Sequence, residues 1–439
     1  MKLEGKDVAV LGAGGSGLAA AALALGCGAS VAAYDSGDPE ELAEAVKKFA
    51  ALGVVLTTGK AALSPEKRFD LAVISPGIDE RWPIGKAFRN VSSDLIGEIE
   101  FAWQQSRIPV IAITGTNGKT TTTGLITHML NGCGLKAVAA GNIGYAYSEA
   151  VGSGVAYDWI VLEVSSFQLE TIRTFQPTVS IWTNFAPDHM DRYSALEDYR
   201  AAKMRIFENH GDGSTAIVKK EDALPIADAV TFSAFETGGN YYYESGRILV
   251  ASSDVSYDFR GSALHGLHNA ENVMMALAVG DRLGLDRARV SDSIDSFRPP
   301  EHRCEAIAEQ DGVIWVNDSK STNIHSLESA LRGQDSPVVL ICGGKEKGLD
   351  FGELTGLVSA SVKNVICIGE TAEKVSQIWE NAADCYTADS VEEAVAMAAR
   401  WATSGDVVLF SPGTSSFDMF SGYVERGNRF REAVQQHLS

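Results

Sequence analysis

The sequence predicts an α/β protein of three domains, each built on a mainly parallel, doubly wound sheet. Three observations predict it. The 439 residues exceed what one hydrophobic core usually organises. Short apolar runs alternate with longer helical patterns along the whole length. Most runs end in Gly, Ser, Asp or Asn, residues suited to the ligand-bearing carboxyl edge of an open sheet.

The first unit, residues 1–97, opens with "DVAVLGAGGSGLAAAALALGCGASVAAYD", which reads as strand, glycine turn, helix, strand. Asp35 closes the second strand, and "FDLAVISPGI" is a later strand ending in the Ser75-Pro76-Gly77 turn. The second unit, 98–298, starts with the helix "EIEFAWQQS" and the strand of "IPVIAITGTNGKT". "DWIVLEVSS" and "VSIWTNFA" continue its sheet, and "EDYRAAKMRIF" and "ALHGLHNAENVMMALAVGDRLG" are helices. Residues 229–264, richer in Tyr, Ser and Gly, read as a small antiparallel hairpin region. The prolines of "RPPEHR" mark a linker to the third unit, 299–439. There "VIWVNDS", "VVLICGGKE", "VKNVICIGE" and "VVLFSPGTSS" repeat the strand rhythm.

A net charge of −20 disfavours nucleic acid and anionic membranes as general partners. The six cysteines contain no CxxC pair and read as free thiols in apolar surroundings. With no signal peptide recognised, the expected compartment is the cytoplasm. The apolar stretch "LAAAALALGC" is about half a membrane span and follows a turn, as a first helix does.

The loop Gly115-Thr116-Asn117-Gly118-Lys119-Thr120-Thr121 supplies what a nucleoside triphosphate needs. Its glycines let N–H groups approach oxygens, Lys119 neutralises charge, and the Thr120 hydroxyl can ligate Mg²⁺. It departs from GxxxxGK[ST], which would place Gly where Ile113 stands. Glu163 sits in a run with the character of a buried strand, where a carboxylate is costly unless paired or bound to metal. Magnesium is the functional reading, and a water-facing Glu on an edge strand is the alternative. His189 lies between Asp188 and Asp191, either as a hydrogen-bonded loop histidine or as a ligand. Lys203 shares a helix face with Tyr199 and Phe207. It is either a snorkelling lysine or a buried one with a lowered pKa, reactive as a neutral amine.

Gly12-x-Gly14-x-x-Gly17, with Asp35 18 residues after the last glycine, fits a dinucleotide fingerprint and suggests an oxidoreductase. That reading leaves the second phosphate loop unexplained, whereas a nucleotide-bearing substrate accounts for both. "NDSKSTN", "GGKEKGLDF" and "SPGTSSFDMF" place Asp318, Lys320, Lys347 and Ser416 at strand ends around one sheet edge, as a pocket would.

These stretches resemble the Mur ligases of bacterial peptidoglycan synthesis. "GTNGKTTT", "GNIG", "LEVSSFQLE", "DHMDRY", "YRAAKMRIFEN", "HNAENVMMALA", "EHR", "NDSKSTN" and "SPGTSSFD" follow one another in the family's order. "SSFQLE" and "SPG…SSFD" favour the branch that adds D-glutamate. The resemblance implies a central P-loop-type ATPase domain between Rossmann-like N- and C-terminal domains. It implies that ATP activates the carboxylate of UDP-N-acetylmuramoyl-L-alanine as an acyl phosphate, which the amine of D-glutamate attacks. Other amino-acid ligases of this superfamily, including those similar to folylpolyglutamate synthase, are the alternative.

Residue by residue, the resemblance assigns Lys119 to the phosphates and Thr120 and Glu163 to one Mg²⁺. His189 and a carbamylated Lys203 serve a second metal. Asn272, Arg303 and Asp318 meet ATP. Gly14, Ser16, Asp35, Ser36, Ser75 and Asn142 meet the UDP-substrate, and Thr322, Lys347, Ser416 and Tyr423 lie around D-glutamate. Family members lean monomeric. Ser36-Gly37 replaces a common Thr-Arg pair, which leaves one uracil-side contact to be lost or supplied elsewhere. Gly15-Ser16 replaces a bulkier pair, and Tyr423 stands where an aromatic without a hydroxyl is common.

Overall fold

The computed structural model describes residues 2–438 except Asp191, Asp254, Ala263, His265, Pro299, Pro300 and Asp335. The Pro299-Pro300 linker and the Asp191 flank of His189 therefore lie outside the described residues.

Three sheets form in chain order. The first joins β1 (Asp7–Leu11), β2 (Ser30–Asp35), β3 (Leu56–Thr58), β4 (Leu71–Ile74) and β5 (Leu95–Gly97) in the order β3-β2-β1-β4-β5, all parallel. Its central strand runs into the glycine turn that opens helix Gly15–Gly26. A Cβ on Gly17 would fall 1.9 Å from the Gly12 carbonyl oxygen, so the helix can close on the turn only with glycine there.

The second sheet has nine strands: β6 (Val110–Thr114), β7 (Ala137–Gly141), β8 (Trp159–Glu163), β9 (Val179–Trp182), β10 (Thr215–Lys219), β11 (Val230–Ser233), β12 (Tyr241–Glu244), β13 (Arg247–Val250) and β14 (Ser256–Asp258). Their order is β14-β13-β12-β11-β10-β9-β6-β8-β7. The expected hairpin region is only partly antiparallel. β12, β13 and β14 pair that way, but β11 runs parallel to both β10 and β12. Ile217 and Phe232 are buried in the core beneath helix Leu267–Arg282, so β10 and β11 extend the parallel edge. The helix expected through "MRIF" ends at Met204 and tightens into a 3₁₀ turn over Arg205–Phe207.

The third sheet runs β15-β16-β20-β17-β18-β19, from β15 (Glu305–Gln310), β16 (Val313–Asn317), β17 (Val338–Gly343), β18 (Val362–Ile368), β19 (Asp384–Ala388) and β20 (Val407–Phe410). Only β15 is antiparallel. β15 and β19 carry exposed, polar positions and lacked the apolar run that marks their neighbours. The six cysteines are free, with Cys342 and Cys367 fully buried.

One apolar core joins the first two sheets. Leu3, Val8 and Val73 share it with Phe101, Val110, Leu162 and Trp182. Helix Gly15–Gly26 presses its small residues on helix Tyr147–Gly152. The cores of the third sheet contain only residues from 304 onward.

Candidate functional site

β6 delivers the phosphate loop to helix Lys119–Gly132. Gly115 takes φ +141, and a Cβ there would lie 2.0 Å from Thr183 Oγ1. The loop can therefore lie against the end of β9 only with glycine at that point.

The segment after β9 braces this loop. Asn184 Oδ1 accepts the Asn117 N–H at 2.9 Å, and its Nδ2 donates to the Asn117 carbonyl at 3.1 Å. Thr183 Oγ1 donates to the same carbonyl at 2.6 Å. The Thr116 N–H donates to the Asn184 carbonyl at 3.0 Å, while the Thr116 hydroxyl bonds to both backbone groups of Ala186. Thr116 and Asn117 thus contribute shape. Donors for a phosphate are the first-turn N–H groups of Lys119, Thr120 and Thr121, which have no carbonyl ahead of them.

Two lysines meet beneath the loop. Lys119 Nζ donates to the carbonyls of Gly115 and Thr116 at 3.0 and 2.8 Å. Lys203 Nζ donates to the same Gly115 carbonyl at 2.7 Å and lies 4.5 Å from the centre of the Tyr199 ring. Lys203 is 2% exposed. Burial, then the Lys119 charge, hold its amine well below the usual lysine range, against the pull of Asp188 and Glu163. Burial lowers Lys119 too.

Glu163 ends β8, which lies between β6 and β7, so the edge-strand reading fails. Its Oε1 accepts Asn142 Nδ2 at 2.9 Å, and its buried Oε2 has no hydrogen-bond partner. A buried carboxylate oxygen left bare is costly, and it fits a cation. Thr120 lines the same cavity. Among the described residues no three His, Cys, Asp or Glu side chains converge as a ready-made metal cluster. His189 takes φ +56, with its side chain 45% exposed and Nε2 3.9 Å from Asp188 Oδ2. Its ring meets Phe167 edge-on at 4.9 Å.

The cavity encloses about 480 Å³ between the second and third sheets. Thr116–Thr121, Asn142, Glu163, His189 and Asn272 line it from one side, and Arg303, Asp318, Lys320 and Thr322 from the other. Asn272 is 4% exposed: its Oδ1 accepts Thr122 Oγ1 at 3.0 Å and its Nδ2 donates to Asn269 at 2.9 Å, so it braces two helices. Asp318 accepts from Ser411 Oγ at 2.8 Å and the Cys304 N–H at 3.1 Å, and burial pushes its pKa up to about 6. Burial and then Arg303 lower Lys320 to about 8, with its ammonium 3.9 Å from the centre of the Tyr423 ring. Arg303 is itself lowered by burial.

Other sequence-predicted residues lie outside this cavity. Lys203 sits under its floor. Lys347 is exposed on the loop after β17, and Ser416 is buried with its carbonyl accepting the N–H groups of Met419 and Phe420. Gly14, Ser16, Asp35, Ser36 and Ser75 gather at the carboxyl edge of the first sheet. Asp35 accepts the N–H groups of Ala13 and Gly37, each at 2.8 Å, and so ties two turns together. Ser75 Oγ is buried against Gly12 and Gly17 without a partner.

Sequence reasoning missed Asn184, Asn323, His325 and Arg426. Asn184 follows a buried strand, a signal that could have found it. Arg426 is 1% exposed and donates to Ser319 and Thr414 backbone carbonyls at 2.8 and 3.1 Å, but a helical arginine reads as solvent-facing in sequence.

A glycine phosphate loop, an orphaned buried carboxylate and a cleft between two α/β sheets define a nucleotide-phosphate-binding α/β protein. Two family models match, Mur ligase middle domain over 113–280 and Mur ligase, glutamate ligase domain over 302–413. The chain is 39% identical to the UDP-N-acetylmuramoylalanine–D-glutamate ligase of Geotalea daltonii, over 99% of this chain and 98% of that protein. It is 37% identical to the ligase of the same name from Thermoanaerobacter pseudethanolicus, with 99% of each covered. The chain belongs to the Mur ligase family. Its fold matches the UDP-N-acetylmuramate–alanine ligase of Thermotoga maritima at TM-score 0.63 and 19% identity, covering 98% of this chain and 100% of that one. It also matches the MurF ligase of Thermotoga maritima, solved with ADP, at TM-score 0.60 and 18% identity, covering 86% and 99%. Among the described residues no helix is long and apolar enough to cross a membrane.

Proposed function

We propose that this chain is the ATP-dependent ligase that adds D-glutamate to UDP-N-acetylmuramoyl-L-alanine in peptidoglycan precursor synthesis, acting as a cytoplasmic monomer. The full-length relatives that carry this activity in their names support it. The single observation that carries the chemistry is Glu163, which lines the phosphate-loop cavity and keeps a buried Oε2 without a hydrogen-bond partner.

The reaction must join a carboxylate to an amine, and a carboxylate cannot expel oxide. Its oxygen therefore takes the γ-phosphoryl group as the bond to the ADP oxygen breaks, giving an acyl phosphate. The amine of D-glutamate then attacks the carbonyl, and phosphate leaves with the original carboxylate oxygen. The first-turn N–H groups and Lys119 hold the phosphates, and Arg303 brings positive charge to the same cavity. Thr120 and Glu163 are the residues to hold Mg²⁺, which supplies the charge that lets two anions approach. His189 and a carbamylated Lys203 are the residues to hold a second cation, and in the unmodified chain Lys203 Nζ donates to the Gly115 carbonyl. The lowered Lys203 amine does suit reaction with CO₂. Lys320 and Thr322 line the cavity's amino-acid side.

The test is phosphate release in the presence of Mg²⁺ and ATP. It should require UDP-N-acetylmuramoyl-L-alanine and D-glutamate together, and label in the acceptor carboxylate should appear in the phosphate. Glu163→Gln should lower kcat by ~100-fold or more while unfolding at the wild-type midpoint. Release with either substrate alone, or label absent from phosphate, refutes the reading.

A further inference from the structure

We propose that His325 is a positioning residue through which the third sheet's half of the molecule sets the phosphate loop. This rests on the ligase reading only in that the loop binds ATP. The peptide of Asn117 is already clamped by Asn184 and Thr183. Its side chain leaves the second sheet altogether. Asn117 Nδ2 bonds His325 Nδ1 at 2.7 Å, across the cavity and 208 residues along the chain. With Asn117 Nδ2 as the donor, Nδ1 accepts, which requires the neutral imidazole that carries its proton on Nε2.

His325 lies in the first turn of helix Ile324–Arg332, and that turn makes a second crossing. The helix's cap, Asn323, donates Nδ2 to Asp188 Oδ2 at 3.2 Å, on the loop that carries His189. One helical turn thus touches both loops that approach the phosphates. When it docks, Asn117 is held at its backbone from one sheet and at its amide from the other. The following first-turn residues, Lys119, Thr120 and Thr121, then present their N–H groups from a fixed base. When it swings away, the Asn117 amide loses its acceptor and the loop tip loosens. Nucleotide binding and docking of the amino-acid half are thereby coupled through one side-chain pair.

The position has a built-in rescue. Asn places a carbonyl oxygen about as far from Cβ as the imidazole places Nδ1, so His325→Asn keeps an acceptor without the ring. The experiment measures ATP–Mg²⁺ affinity by calorimetry on the full chain, along with kcat and KM for each substrate. His325→Ala should weaken ATP binding and raise its KM by about tenfold, the scale of one lost hydrogen bond, while KM for the UDP-substrate and the unfolding midpoint stay put. Asn117→Ala should do the same, the double variant should be no worse than either single, and His325→Asn should recover at least half the loss. Unchanged ATP affinity in His325→Ala, multiplicative single effects, or an Asn variant no better than Ala each overturn the proposal. ATP affinity is read without the other substrates, so failure of the ligase reading in the turnover assay leaves this test intact.

Discussion

The two junctions of this chain are built from opposite materials. Between the first and second sheets runs a continuous apolar core, with Phe101 and Ala102 fully buried beside Val8 and Leu162. Between the second and third sheets no apolar cluster crosses among the described residues, and the joining bonds are polar, Asn117 to His325 and Asn323 to Asp188. Apolar burial is non-directional and scales with area, so the first junction holds as one body. A polar hydrogen bond at a cleft nets only about 1 kcal/mol, because water replaces it when the cleft opens. The difference teaches where motion belongs. The first sheet is built to stay with the second, and the third to move against it.

Truncation at the apolar junction should break this contrast first if it is wrong. Phe101→Ala should lower unfolding free energy by about 3–5 kcal/mol in denaturant titration, the usual cost of emptying a packed aromatic site. A loss under 1 kcal/mol would mean that the junction is not a shared core. The pH profile should report the polar junction instead. Asp318, raised by burial to about 6, is protonated below that value, so kcat/KM should fall as pH drops through it. Lys320, lowered by burial to about 8, loses its charge above that value, so activity should fall again on the alkaline side. Lys320→Arg should move the alkaline limb upward, and an unmoved limb would dissociate Lys320 from it. The raised Asp318 has a stability consequence of the opposite sign: the folded chain holds its proton more tightly than the unfolded chain. Stability from this group therefore declines as pH rises from about 4 to about 6.

The smallest effect should be the most selective. Asn323→Asp keeps the helix cap on the Ser326 N–H but sets a carboxylate against Asp188. ATP KM should rise about fivefold, equivalent to ~1 kcal/mol, with an unchanged unfolding midpoint. A lowered midpoint with unchanged KM would assign Asn323 to stability alone.

By itself the sequence determined the alternation of strand and helix, the glycine turns, and the strand-loop-helix around Lys119. These rest on periodicity and on backbone freedom, which are local properties. It also placed Glu163 at the end of a buried strand, since the apolar run on either side of it is legible. It could not place β15 or β19, whose polar positions are exposed, or the parallel run of β11, which follows from what packs beneath it. Only the tertiary structure decided that Glu163 keeps one bare oxygen, that Lys119 and Lys203 share the Gly115 carbonyl, and that Asn117 reaches His325. The physical reason is distance along the chain. Hydrogen bonds and charge coupling act through space over a few ångströms, and partners 88 or 208 residues apart leave no mark in local patterning.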